Sequence, residues 1–284
     1  MNKQLCQLFS GLFFSVFFVA TSVHADIQLR FGVYTSDKPT TMVKMFRPVL
    51  NALELHLSNK LGEKVAISLQ VASTYDIGVD DLVSGRVDFA RMGPASYILS
   101  QQRNPKIRLL AIESKKGNKV FFGIICIHEN SPLNRVEEIR GHSFTFGDEH
   151  STIGRYLSQD LLLEHGITAK DLRSYQYLNR HDRVGTAVGN GLYDAGALKE
   201  STFKRLREKG VAIRELSRFP NVTKPWIANH KLNDRITSAL TEALLELQDP
   251  IVLKGLGISG FLATHDEDFV SIRKAIDRNP AFFQ

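Results

Sequence analysis

From residue 27 to residue 200 the sequence switches repeatedly between strand-like and helix-like runs, and that rhythm leaves few architectures open. "IQLRFGVY" (27–34) reads as a strand. "TTMVKMFRPVLNALELHLSNKLG" (40–62) carries Val43, Phe46, Leu50, Leu53 and Leu57 at helical spacing before a glycine stop. "VAISLQVA" (65–72) is a strand, 75–85 a short helix ending on Gly85, and 87–93 a strand followed by Pro94 at a helix start. Two strands follow, 108–114 and 119–128. The second half repeats the pattern: strand 143–147, helix 151–165, strand 172–178, helix 181–191, strand 193–200 and strand 211–216. An amphipathic helix, 232–248, and further short helices close the chain. Strands alternating with helices predict α/β lobes, each a mostly parallel sheet covered by helices on both faces. Ligands of such sheets bind outside the carboxyl ends of the strands.

The first 25 residues stand apart. A lysine precedes the apolar run "LFSGLFFSVFFVA", and "TSVHA" ends in small residues at the −3 and −1 positions of a cleavage site. This order predicts a secretory signal peptide, 1–25, cut near Ala25-Asp26, and a periplasmic product. Cys126 is then the one remaining thiol, set in the apolar run "VFFGIICI", where a buried small hydrophobe is expected. The net charge of +6 comes from scattered Lys and Arg interleaved with Asp and Glu. No basic stripe argues for nucleic acid, whereas a mildly basic exported protein suits an anionic small ligand. Gly, Lys, Pro and Asn gather near 116–122 and 218–226, where the chain is expected to cross between lobes. The resulting division is a discontinuous lobe 1, 26–118 plus 223–284, with lobe 2, 119–222, inserted. A weak echo links "LVSGRVDFARMG" to "AVGNGLYDAGALKE" and fits two lobes of similar build.

The junctions from strand to helix carry the candidate site residues. In "GDEHSTIGR" (147–155), Ser151 and Thr152 open a helix. Either they only cap it, or its amides, the two hydroxyls, the bare backbone of Gly154 and the cation Arg155 hold an anion. The capping-box partner is absent, since Gly154 stands three residues after Ser151. His181 opens the next helix in the same half, as a solvated cap or as a donor to an oxyanion. In the first half, Ser96 in "GPASY", Ser36 in "YTSDKPTT" and Tyr75 after "VAST" occupy equivalent junctions. Enzyme motifs are largely missing. "GHSFT" (141–145) fails the nucleophile-elbow pattern at Thr145, and no H-E-x-x-H, P-loop or G-x-G-x-x-G occurs. The nine histidines are dispersed without metal-ligand spacing. The expectation is a non-enzyme with no cofactor and no metal.

"FGVYTSDKPT", "VDFARMGPASY", "FGDEHSTIGR", "HDRVGTAV" and "DAGALKES", in this order, resemble the phosphonate-binding family of periplasmic substrate-binding proteins. The similarity runs from residue 28 to residue 275. It implies a two-lobed type II periplasmic-binding fold with the ligand in the cleft, closing like a hinge. It also implies that Ser151 and Thr152 hold the phosphonate oxygens, that His181 completes this site, and that Tyr75 and the helix start at Ser96 contribute from the first lobe. Departures concern the ligand's tail: Lys224 in "VTKPW" stands where an acid is expected, Phe121 where a second aromatic is a tyrosine, and Glu200 near the family's acidic position. A cationic tail is thereby disfavoured. The function implied is capture of a phosphorus oxyanion (phosphonate, phosphite or phosphate) by a monomer that delivers it to an ABC permease in the inner membrane. The alternative is a sensor component presenting the same anion to a membrane signalling partner.

Overall fold

The computed structural model describes residues 26–36 and 38–284. The expected signal peptide, residues 1–25, lies outside the described residues, as does Asp37. Among the described residues, no helix is long and apolar enough to cross a membrane.

The chain begins with β1 (Ile27–Tyr34), α1 (Pro39–Leu61), β2 (Val65–Ala72), α2 (Tyr75–Ser84), β3 (Phe89–Arg91), α3 (Pro94–Arg103) and β4 (Arg108–Ser114). It then crosses to a second sheet with β5 (Val120–His128), β6 (Ser143–Phe146), α4 (Leu157–Glu164), β7 (Ser174–Tyr177), α5 (His181–Gly189), β8 (Ala195–Lys199), α6 (Glu200–Glu208) and β9 (Ile213–Val222). It returns with β10 (Pro225–Ala228), α7 (Asp234–Glu246), α8 (Pro250–Leu253), β11 (Gly260–Leu262) and α9 (Val270–Arg278). The six-stranded first sheet has the order β11-β4-β10-β3-β1-β2, and the five-stranded second sheet β7-β6-β8-β5-β9.

Both sheets are mostly parallel in strand direction, and two of the three exceptions, β5 and β10, are the strands by which the chain enters a sheet, the third being the edge strand β11. β1 runs parallel to β2 and β3, while β10 is antiparallel to β3 and β4, and β11 to β4. In the second sheet β6 is parallel to β7 and β8, and β5 is antiparallel to β8 and β9. A chain that leaves one sheet for another and comes back re-enters against the prevailing direction, which the simple alternation did not foresee.

Each sheet has its own core. Trp226, fully buried on β10, stacks on Phe31 at 4.8 Å between ring centroids and meets Phe261 edge-on at 5.4 Å. Burying such a side chain contributes about 1.5–3 kcal/mol. The second core gathers Phe144, Phe146, Ile125 and Leu162, and Phe282 from the chain's end packs edge-on against Phe146 at 5.8 Å.

Besides the short strand β11 in the tail, where only helices were expected, three elements differ from the sequence-based expectation. β9 runs on to Val222 rather than ending at 216, passing through Pro220. It is an edge strand, so the missing proline N–H leaves no ladder bond unmade on its outer side. The segment expected as crossing chain, 218–226, holds the end of β9 and the start of β10, whose "PWIA" is buried throughout and so shows no alternation. The helix expected over 151–165 starts as a wider π-type turn, Thr152–Tyr156, in which the Tyr156 amide reaches back to the Ser151 carbonyl at 3.3 Å.

Candidate ligand-binding site

The strand-to-helix junctions of both halves meet at one cavity between the two sheets. Ser36, Tyr75, Ser151, Thr152 and His181 all line it, together with Tyr34, Arg91, Gly93, Phe121, Lys199, Asn221 and Lys224. Its volume is about 30 Å³, where a single water needs about 10–15 Å³, so a compact occupant fits and a bulky one does not. Among the described residues, no carboxylate lines it.

One wall is the head of the helix following β6. The Ser151 side chain accepts the Gly154 N–H at 2.9 Å, so this serine is a cap as well as part of the wall. Gly154 is required by the fold for a different reason than ligand approach. A Cβ there would lie 2.7 Å from the Gly147 Cα and 2.9 Å from the Ser151 Oγ. The turn holding Ser151 is therefore set by backbone pressed on backbone, closed by the Gly147 amide donating to the Gly154 carbonyl at 2.8 Å. Thr152 Oγ1 accepts the Ala95 N–H at 2.9 Å, a bond between helix starts belonging to the two sheets. Arg155 contributes nothing to the wall, contrary to the sequence expectation. Its guanidinium donates to the Glu149 carbonyl at 2.8 Å and lies over the Tyr156 and Phe283 rings. His181 is buried at the start of α5, and its amide donates to the Ser36 carbonyl at 3.4 Å, again joining the two halves.

The facing wall is aromatic. Tyr34 and Tyr75 stack at 3.8 Å between centroids. The Tyr34 hydroxyl receives the Gly93 N–H at 2.5 Å and pairs with Ser96 Oγ at 2.9 Å. Burial pushes the Tyr34 phenol up to about 12, so it stays protonated at neutral pH. Ser96 is fully buried and is not among the lining residues; its hydroxyl acts on Tyr34, which is.

The remaining wall is cationic. Arg91 ends β3 and Lys199 ends β8, both at carboxyl ends of strands, where ligands of open α/β sheets bind. Arg91 is held by Glu113 in a bidentate pair, Nε–Oε1 at 2.8 Å and Nη2–Oε2 at 3.0 Å. Burial alone would raise the Glu113 carboxyl. The charge and hydrogen bonds of Arg91, with Lys224 and Trp226, outweigh it and hold Glu113 below its usual value. Lys199 Nζ donates to Ser36 Oγ at 3.4 Å. Lys224 Nζ stands 4.2 Å from the Phe121 ring centroid. Loss of hydration, with the neighbouring charges of Arg91, Lys199 and Lys115, depresses the Lys224 ammonium well below its ordinary value despite Glu113.

Comparison with known proteins gives this geometry a context. The profile of the family described as "ABC transporter, phosphonate, periplasmic substrate-binding protein" matches residues 31–269. The chain belongs to this family. It is 24% identical over 248 residues to a probable ABC transporter phosphite binding protein, PhnD1, of Prochlorococcus marinus, covering 83% of this chain and 80% of that protein. In structure it resembles PhnD1 of Prochlorococcus marinus in complex with methylphosphonate, with a TM-score of 0.78 at 20% identity, over 88% of this chain and 97% of that one. A binding protein component of an ABC phosphonate transporter from Pseudomonas aeruginosa has a TM-score of 0.77 at 18% identity, covering 88% of this chain and 85% of that one. These structures are two-lobed periplasmic binding proteins, and the architecture of this chain is theirs.

Within this family fold, sequence reasoning missed Arg91, Lys199, Tyr34 and Asn221. A charged residue closing an otherwise apolar strand, as in "FAR" and "AGALK", was the available signal for the first two. The acidic position assigned to Glu200 falls one residue off the wall. Glu200 pairs with Lys204 at 2.8 Å and is not among the cavity's lining residues, while Lys199 is.

Proposed function

We propose that this chain captures a compact phosphorus oxyanion in the cavity between its sheets and delivers it to an ABC permease. The reading rests above all on one observation: Ser36, Tyr75, Ser151, Thr152 and His181 converge with Arg91, Lys199 and Lys224 on a space fit for a small anion. Ser151 and Thr152 hold the phosphoryl oxygens with the amides at their helix head, and His181 adds a donor. From the other half, Tyr75 and Ser36 close over the anion, and Ser96 positions Tyr34. The lobes are residues 26–118 plus 223–284 and residues 119–222, and closure about the paired crossing segments traps the ligand. Membership of the two sheets supports this division as far as the strands go, while Phe282 near the end of the chain packs into the second core. Capture needs no covalent chemistry, no metal and no cofactor. Residues 1–25 direct export to the periplasm and are removed near Ala25-Asp26; N-terminal sequencing of the exported protein checks this.

Calorimetric titration with phosphate, phosphite, methylphosphonate and sulfate tests the central reading. At least one phosphorus oxyanion is expected to bind, and Ser151→Ala to weaken it. No binding by any of them at millimolar concentration, with Ser151→Ala altering only stability, overturns it.

A further inference from the structure

Behind the cationic wall lies a second cavity of about 90 Å³. It shares Arg91, Phe121, Lys199 and Lys224 with the first, so the two spaces meet across these side chains. The partition is the Phe121 ring, with Lys224 Nζ at 4.2 Å and Lys115 Nζ at 5.7 Å from its centroid. Among the described residues, the single carboxylate of this second space is Glu113, and both its oxygens are committed to Arg91. Lys224 therefore faces the charges of Arg91, Lys199 and Lys115 with Glu113 as the one opposing carboxylate lining this space. Thr223, 2% exposed, lines the same space, and its Oγ1 has no hydrogen-bond partner. At the near side, Asn221 is 4% exposed and both polar atoms of its amide are likewise unpartnered. Buried polar atoms are rarely left so, and each such group costs free energy until something satisfies it. An excess of positive charge beside unused donors describes a place for an anion supplied from outside the chain.

We infer that this second cavity is a subsite for an acidic tail, so that the preferred ligand is a short-chain phosphonate bearing a carboxylate. This rests on the phosphonate reading above and deepens it. The phosphoryl group occupies the Ser151–Thr152 end, and the tail passes Phe121 to bring its carboxylate between Lys224, Lys199 and the Thr223 hydroxyl. An ammonium tail meets repulsion there, and the face of Phe121 that would otherwise receive it already carries Lys224. A plain alkyl tail leaves the lysines and Thr223 as they are in the free protein.

Calorimetry of the full exported chain with phosphonoacetate, ethylphosphonate and aminoethylphosphonate tests this, since the three differ chiefly in the charge at the tail. Phosphonoacetate is expected to bind at least about tenfold more tightly than ethylphosphonate, with aminoethylphosphonate weakest. In Lys224→Met and in Thr223→Val, the ratio of phosphonoacetate to ethylphosphonate affinity is expected to fall towards one. Ethylphosphonate binding as tightly as phosphonoacetate, or aminoethylphosphonate binding best, overturns the acidic-tail subsite and leaves phosphonate capture standing. A ratio unchanged in both variants also overturns it. If no phosphonate binds, this inference falls, and the reading of the site falls with it only if phosphate and phosphite fail to bind as well.

Discussion

At one end of the cavity Ser151 and Thr152 present hydroxyls and amides from a helix head that they themselves brace. At the other, Arg91, Lys199 and Lys224 present charge from strand ends and a crossing segment, against a background short of carboxylate. The first end is neutral and fixed by hydrogen bonds: Gly154 to Ser151, and Ala95 to Thr152. The second is under electrostatic tension in the free protein, since the Lys224 ammonium is disfavoured where it stands. Preorganised dipoles recognise an oxyanion at little cost to the fold, whereas clustered cations are relieved only when an anion arrives. On the proposed reading, the contrast separates what holds the phosphoryl group from what selects its tail.

The sharpest way to break the comparison is at the neutral end. Ser151→Ala combined with Thr152→Val removes two charge-assisted bonds and is expected to weaken phosphonate binding by about 100-fold, on the order of 2.7 kcal/mol by calorimetry. Affinity within a factor of a few of the parent would transfer the phosphoryl role to the cationic end. Gly154→Ala tests how rigid that end is. The new methyl meets the Gly147 backbone, which cannot swing aside, and the expected loss is about 1–3 kcal/mol of stability in urea denaturation. A neutral effect would mean the turn adapts.

Lys224→Met probes the tension at the other end. Removing an underbalanced charge is expected to raise the Tm of the ligand-free protein by about 2–4 °C, for roughly 1 kcal/mol. A lower Tm would show that Lys224 supports the fold. The same group predicts a pH effect. Its folded pKa lies below its unfolded one, so the unfolded chain holds the proton more tightly. Stability therefore rises as pH climbs through the window between the depressed folded value and the ordinary lysine value, and Lys224→Met flattens that slope. An acidic tail reverses the depression, so phosphonoacetate binding should take up more protons in the parent than in Lys224→Met, measured in buffers of different ionisation enthalpy. The smallest effect is expected at Arg155. Its side chain turns away onto Tyr156 and Phe283, and Arg155→Gln should change affinity less than about twofold.

This split also marks what was legible in the sequence. The helix-head residues were readable because their signal is local: a hydroxyl or histidine placed just after an apolar strand. Five of the six so chosen reach the cavity wall, and Ser96 reaches Tyr34 instead. The cationic end was not readable in this way. Arg91 and Lys199 close strand runs that lie in different sheets, and they meet only because the ends of β3 and β8 face the same cavity between those sheets. Lys224 and Phe121 stood out only as departures from a family pattern. The fold shows the same limit. β1 and β2 have long runs and were located to the residue, whereas β10 and β11 are short strands completed by partners distant in sequence.

A crystal structure of the protein with methylphosphonate, a ligand with no charged tail, tests the central claim most directly. The account predicts phosphoryl oxygens within hydrogen-bond distance of the Ser151 and Thr152 hydroxyls. A phosphorus centred instead among Arg91, Lys199 and Lys224, with Thr152 still bound only to the Ala95 amide, would contradict it.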